Sequence, residues 1–255
     1  GATIASATDR FGNRVIVWKQ TLGKVGAITQ GDGVFGRFFG ADGSSSQPFP
    51  VDTSSGGEVT QPSVTFNAEG GYLVGWEKTA GGGGVFGRVF NPDQQPLGGS
   101  FQMDEGTGAQ VEAPKVASSA AGQFMAAWRQ SAGKQGDGIF GRFFAPGGQP
   151  TGGATRIDLG GATSVSLPSA AADAAGNYRV VWHQRAPGKT LQGGDGIFGR
   201  TFDPGGEPGG EPVPINTDST GDPMSPVVAT DASGNSVVVW MQDVGVGEGL
   251  DIWAR

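Results

Sequence analysis

Asp173-Ala174-Ala175-Gly176-Asn177-Tyr178-Arg179-Val180-Val181-Trp182, followed after a loop by Phe198-Gly199-Arg200, is the stretch on which the fold is read. Its frame occurs five times. The Trp residues are Trp18, Trp76, Trp128, Trp182 and Trp240. The Arg closes Phe35-Gly36-Arg37, Phe86-Gly87-Arg88, Phe140-Gly141-Arg142, Phe198-Gly199-Arg200 and, in altered form, Trp253-Ala254-Arg255. Six places before each Trp stands Gly12, Gly70, Gly122, Gly176 or Gly234, and nine places before it stands Asp9, Asn67, Ser119, Asp173 or Asp231. A polar side chain that bonds its own backbone, followed by a Gly able to take positive φ, makes a type I turn with a bulge. The spacing therefore predicts a hairpin, with strand A before the turn and strand B after it.

Runs such as Val15 to Trp18 and Val237 to Trp240 are apolar at consecutive positions, which predicts a strand B buried on both faces, with Arg179 breaking the pattern. Strand A is expected to start after Pro62, Pro114, Pro168 and Pro226, with Ile4 at that place in the first copy. Strand C surrounds Phe-Gly-Arg, whose small middle residue is expected to make room for the indole. Strand D ends in Asp52, Asp104, Asp158 or Asn216, each 10 positions before the next Pro. The D to A connection is thus part of the scaffold. Trp to Arg runs 19, 12, 14, 18 and 15 residues, so length variation falls in the loop between B and C.

Four short antiparallel strands per unit and a period of roughly 50 to 58 residues predict an all-β, five-repeat, β-propeller-like array in one domain. The approximate repeats are 1–52, 53–104, 105–158, 159–216 and 217–255. An open stack of small sheets is the alternative. No segment carries the 3.6-residue periodicity of a helix. The fifth copy stops at strand C, so one blade is expected to lack its fourth strand. An unpaired edge of this kind invites β-strand addition in trans.

Gly and Pro, 49 and 16 residues, sit at fixed places and read as turns of an ordered protein. A formal charge of -7 without a Lys/Arg run argues against nucleic acid as a partner. The absence of Cys excludes disulfides, thiolate metal sites and thiol nucleophiles. No stretch approaches a membrane span, and the leader of a secreted chain is expected to have been removed ahead of Gly1.

Segments such as Gly136-Asp137-Gly138-Ile139-Phe140-Gly141-Arg142-Phe143-Phe144, with Gly147 to Gly153, Pro168 and the quoted Asp173 to Trp182, resemble the tandem repeats of large bacterial secreted or cell-surface proteins. The resemblance implies an extracellular or cell-surface setting and carries no catalytic residue across. The fifth copy departs from the pattern, and the second has Gly81 to Gly84 where others have an acid.

At the loop between B and C each copy gathers a Trp, usually a Gln two residues on (Gln20, Gln130, Gln184, Gln242, with Lys78 in the second), and an acid (Asp32, Asp137, Asp195, Glu248). Aromatic faces beside amides and carboxylates hold sugars, and repetition adds avidity. These eight Gln and acidic residues are the candidate ligand-binding set. The Trp and Arg read instead as core and as a hydrogen-bond anchor.

Gly-Asp-Gly at 31–33, 136–138 and 194–196 offers one carboxylate per loop, a poor ligand set for calcium, so no metal or cofactor is expected. The single histidine, His183, falls at a variable Trp-x-Gln position and reads as a surface residue, and no catalytic motif is present. The expected function is a non-enzymatic extracellular structural or interaction module, partnered by itself or another surface protein, self-assembling or completed in trans by β-strand addition. The alternative is a multivalent carbohydrate-binding lectin with glycans as partners.

Overall fold

The computed structural model describes residues 4–21, 24–25, 28–29, 32–52, 58–79, 83–106, 110–131, 137–162, 164–166, 168–185, 195–217, 221–243 and 249–255. Blade one holds β1 (Ile4–Thr8), β2 (Arg14–Thr21), the small hairpin of β3 (Lys24–Val25) and β4 (Ile28–Thr29), β5 (Asp32–Phe39) and β6 (Phe49–Asp52). Blade two holds β7 (Val59–Phe66), β8 (Tyr72–Lys78), β9 (Gly84–Phe90) and β10 (Phe101–Gln102). Blade three holds β11 (Gln110–Ser118), β12 (Phe124–Ser131), β13 (Asp137–Phe144) and β14 (Thr155–Arg156). Blade four holds β15 (Ser164–Val165), β16 (Ser169–Ala172), β17 (Tyr178–Arg185), β18 (Asp195–Phe202) and β19 (Val213–Pro214). Blade five holds β20 (Asp222–Thr230), β21 (Ser236–Asp243) and β22 (Leu250–Ala254).

Within each blade the strands lie in the order A-B-C-D, antiparallel throughout, and blade five has three among the described residues. The fold is all-β and propeller-like. There is no helix among the described residues, and none long and apolar enough to cross a membrane.

The predicted hairpin turns form at all five copies. Gly12, Gly70, Gly122, Gly176 and Gly234 take φ between 83° and 89°. In four of them the polar side chain three places earlier accepts from the backbone beyond the turn, as in Asn13 N to Asp9 Oδ1 at 2.8 Å and Asn235 N to Asp231 Oδ1 at 2.8 Å, while the Ser119 hydroxyl in the third has no partner among the described residues. The Asn235 side-chain amide, followed by backbone N–H groups, holds the Asp231 carboxyl below its ordinary range.

Strand A begins earlier than the prolines predicted. β7, β11 and β20 each contain their Pro, and the register shifts at Thr60/Ser63, Glu112/Lys115 and Met224/Val227. The residue before each Pro, namely Gln61, Ala113 or Ser225, takes φ of 49° to 53°. Proline has no N–H to give to the ladder, so it is carried at a bulge, and the neighbour bears the strain.

Each core lies between two blades. Val15 and Val17 meet Val74, Trp76 and Phe90. Leu73 and Val85 meet Phe124, Ala126 and Trp128, and Met125, Ala127 and Ile139 meet Val180, Trp182 and Phe198. Val181 and Ile197 meet Val228, Val238 and Trp240. The Trp of every later blade thus faces the preceding blade. The Gly of Phe-Gly-Arg makes room on the other face, where a Cβ on Gly36, Gly141 or Gly199 would meet Phe49, Ile157 or Ile215 of strand D; the room is for strand D and not for the indole.

The Arg is the anchor that the sequence predicted, and it joins neighbouring blades. Arg88 Nη1 donates to Val51 O at 2.8 Å, Arg142 Nη1 to Met103 O at 3.4 Å, Arg200 Nη1 to Ile157 O at 3.2 Å and Arg255 Nη1 to Ile215 O at 2.7 Å. Each reaches the strand D end of the blade before its own. Nε of Arg88, Arg142 and Arg200 donates to Gly98, Gly152 and Gly210 O in its own blade. The residue closing strand D accepts from the start of strand C, as in Val85 N to Asp104 Oδ1 at 2.8 Å and Ile139 N to Asp158 Oδ1 at 3.0 Å, which ties the end of strand D to strand C.

Inner strands β1, β7, β11, β16 and β20 pack one against the next, and no comparable packing returns from β20 to β1 among the described residues. Burial on both faces of strand B therefore holds for blades two to four. Blade one leaves Ile4 exposed, and blade five leaves Val227, Val237 and Ile252 exposed.

Candidate functional site

Antiparallel order puts the B to C loop and the D to A connection of every blade at one end of the array. Several charged side chains of strands A, B and C gather there. In blade three, Glu112 from strand A, Arg129 from strand B and Asp137 at the head of strand C share one face of the sheet, because Glu112 is opposite Arg129 and Asp137 opposite Ser131. Arg129 bridges the two acids, Nη1 to Glu112 Oε2 at 3.3 Å and Nη2 to Asp137 Oδ2 at 2.5 Å. All three remain about a quarter exposed, at 28%, 27% and 22% for Arg129, Glu112 and Asp137. Burial, the largest single influence on the guanidinium, disfavours its charge, but Asp137 and Glu112 together outweigh it and raise its pKa.

Blade four repeats the device with a different third partner. Arg185 bridges Asp195 at 3.2 Å and Asp222 of blade five at 2.5 Å, and His183 Nε2 lies 3.1 Å from Asp195 Oδ1. His183 is only 13% exposed, which corrects its reading as a surface residue: the x of Trp-x-Gln points toward the following blade. Glu77 at the same place is buried, accepting Ala113 N at 3.1 Å and Gln61 Nε2 at 3.3 Å. Lys19 there pairs with Glu58 at 2.8 Å. In the inner strands, Ser63 and Ser169 accept Val116 N and Val228 N at 3.2 Å. Lys115 takes that place in blade three, and burial pulls its amine below the ordinary lysine range.

Of the predicted set, Gln20, Gln130, Gln184 and Gln242 each accept the indole N–H of their own Trp through Oε1, at 3.3, 3.2, 3.2 and 3.0 Å. Gln184 and Gln242 are buried, so their amides serve the core. In blade two, with Lys78 in place of Gln, the buried Trp76 indole N–H has no acceptor, and Lys78 pairs with Asp52 at 3.1 Å. Asp137 and Asp195 stand at the loop-bearing end as described. Asp32 heads β5, but its side chain lies outside the described residues, as does Glu248. The sequence reading missed Glu112, Arg129, Arg185 and Asp222, which do not share one place in the repeat.

No family model and no curated protein matches the chain. Solved structures do resemble it. An α-L-arabinofuranosidase of Fusarium graminearum, described as GH93 and solved with arabinobiose, superposes with TM-score 0.62 at 11% identity over 98% of this chain and 80% of that one. A Hadza microbial sialidase superposes at 0.59 with 9% identity, over 99% and 55%. An endo-arabinase from Bacteroides thetaiotaomicron superposes at 0.51 with 15% identity, over 98% and 92%. These findings overturn two expectations, that the chain is no enzyme and that it is an extracellular structural or interaction module that assembles with itself or is completed in trans. The frame attributed to assembly is shared along its whole length with enzymes, and the Trp and Arg that define the repeat describe that frame and not a use for it.

Proposed function

We propose that the chain is a carbohydrate-active protein that works outside the cytoplasm, holding a polysaccharide across the loop-bearing end and hydrolysing a glycosidic bond between Glu112 and Asp137. The observation that carries this reading is the pair of carboxylates bridged by Arg129. Both acids contact one guanidinium, and a pair of neighbouring carboxylates is what glycoside hydrolysis uses. Asp137, in the closer contact, acts on the anomeric carbon, directly or through water. Glu112, on the longer arm at 3.3 Å, is assigned as the general acid that protonates the leaving oxygen. Arg129 positions both. The activities of the similar structures support a glycan as the substrate class and arabinan as the first polymer to try.

The test is release of reducing sugar from arabinan, other polysaccharides and sialosides. Glu112→Gln and Asp137→Asn are each expected to lower the rate by about 100-fold or more with melting unchanged. Wild-type protein that releases nothing from any of them, or variants as active as the wild type, would reject the assignment.

A further inference from the structure

A lysine set between two blades costs free energy unless its charge is met, and blade three carries one there. Lys115, the residue after Pro114 in β11, is half-buried, and among the described residues its amine has no hydrogen-bond or ion-pair partner. Blades two and four place Ser63 and Ser169 at this position, where each hydroxyl accepts an N–H of the next inner strand. An ammonium group cannot accept, so Lys115 does not serve that joint. β7 and β16, which pack on β11, contain no acid, and Glu112, the one acid of β11, is held by Arg129. Burial disfavours the charge on the amine, and an anion brought from outside would offset that.

The position of Lys115 ties it to the paired acids. It stands opposite Ala127, two places before Arg129 along strand B, and Arg129 stands opposite Glu112. Alternation of side chains therefore puts Lys115, Arg129, Glu112 and, through its pairing with Ser131, Asp137 on one face of blade three. The rungs of Lys115 and Glu112 are roughly 7 Å apart along the strand, about the reach of one sugar unit. Glu112, Arg129 and Lys115 are all departures from the repeat, and they fall in a single blade. On the neighbouring inner strands, the Ser63 and Ser169 hydroxyls each keep a proton to donate.

We infer that Lys115 makes this site specific for an anionic glycan, its ammonium group receiving a carboxylate or sulfate carried by the sugar bound beside Glu112 and Asp137. The inference rests on the glycan reading and narrows its substrate class. An ionised substituent gains more from the amine than a hydroxyl does, because hydrogen bonds with charged partners are roughly twice as strong as neutral ones. Lys115 is a specificity residue and takes no part in breaking the glycosidic bond.

Calorimetric titration of the full chain with oligosaccharides of polygalacturonate, alginate and ι-carrageenan, each beside its carboxyl-reduced or desulfated form, tests it, together with reducing-sugar release from arabinan. The wild type is expected to bind at least one acidic oligosaccharide about tenfold or more tightly than its neutral form, and Lys115→Met to lose that preference. Lys115→Arg, which keeps the charge, should retain part of the preference and guards against a folding defect in the Met variant. Preference among the uronates alone identifies a carboxylate, and preference for carrageenan alone a sulfate. Equal binding of acidic and neutral forms by the wild type, binding of neither, or a preference that survives in Lys115→Met would overturn the inference. Arabinan hydrolysis by the same preparation would then show that the paired acids stand without it. No binding of any oligosaccharide and no hydrolysis of arabinan would overturn the inference and the glycan reading together.

Discussion

Val180 and Val181 in blade four are both fully buried, whereas at the matching places in blade five Val238 is buried and Val239 is only half-buried. The local sequence is the same and so is the strand. What differs is whether a blade lies on each side. The apolar run along strand B is therefore a property of the repeat as a unit of an array, and burial is conferred by neighbours. A blade in the middle has two cores; a blade at an end has one.

The largest expected effect tests the middle. Trp182→Ala should cost about 3–5 kcal/mol in chemical denaturation, because the indole fills the core between blades three and four and its N–H is bonded to Gln184. A cost below that of an exposed substitution would mean that the blades do not share cores. Next in size, Val181→Thr buries a hydroxyl and should cost about 1–3 kcal/mol. Val239→Thr, half-buried at the matching place in blade five, should cost less, about 0.5 kcal/mol, and equal costs would erase the distinction between middle and end. Smaller still, Arg142→Ala removes bonds to Gly152 O and to Met103 O of the preceding blade, for about 1–2 kcal/mol. Arg37→Ala should cost less, since Arg37 bonds only Ser45 and Ser46 of its own blade. Urea titration of the paired variants checks both comparisons.

What could be read from the sequence was whatever recurs at a fixed offset. The hairpin turns follow from a polar residue and a Gly three apart, and the D to A connection from the constant 10-residue spacing. The proline bulges were hidden because Pro both interrupts a ladder and tolerates a kink, and only the backbone tells which occurs. A second series of turns after strand C, at Gly43, Gln94, Gly148 and Gly206, escaped because its second member is not Gly. The candidate site was half legible. Asp137 and Asp195 could be found at repeated places, but Glu112, Arg129, Arg185 and Asp222 are exceptions to the repeat, brought together only when strands A, B and C align. The Gln series was legible as a pattern and misleading as a site, because its partner is the indole two residues away.

The arginine anchors point one way. Each blade from the second onward clasps the finished outer strand of the one made before it, and none reaches forward. Assembly therefore has a grain: a newly emerged unit finds its docking surface already built, and locks it by closing behind itself. Growth from the first described blade toward the fifth runs with that grain during synthesis.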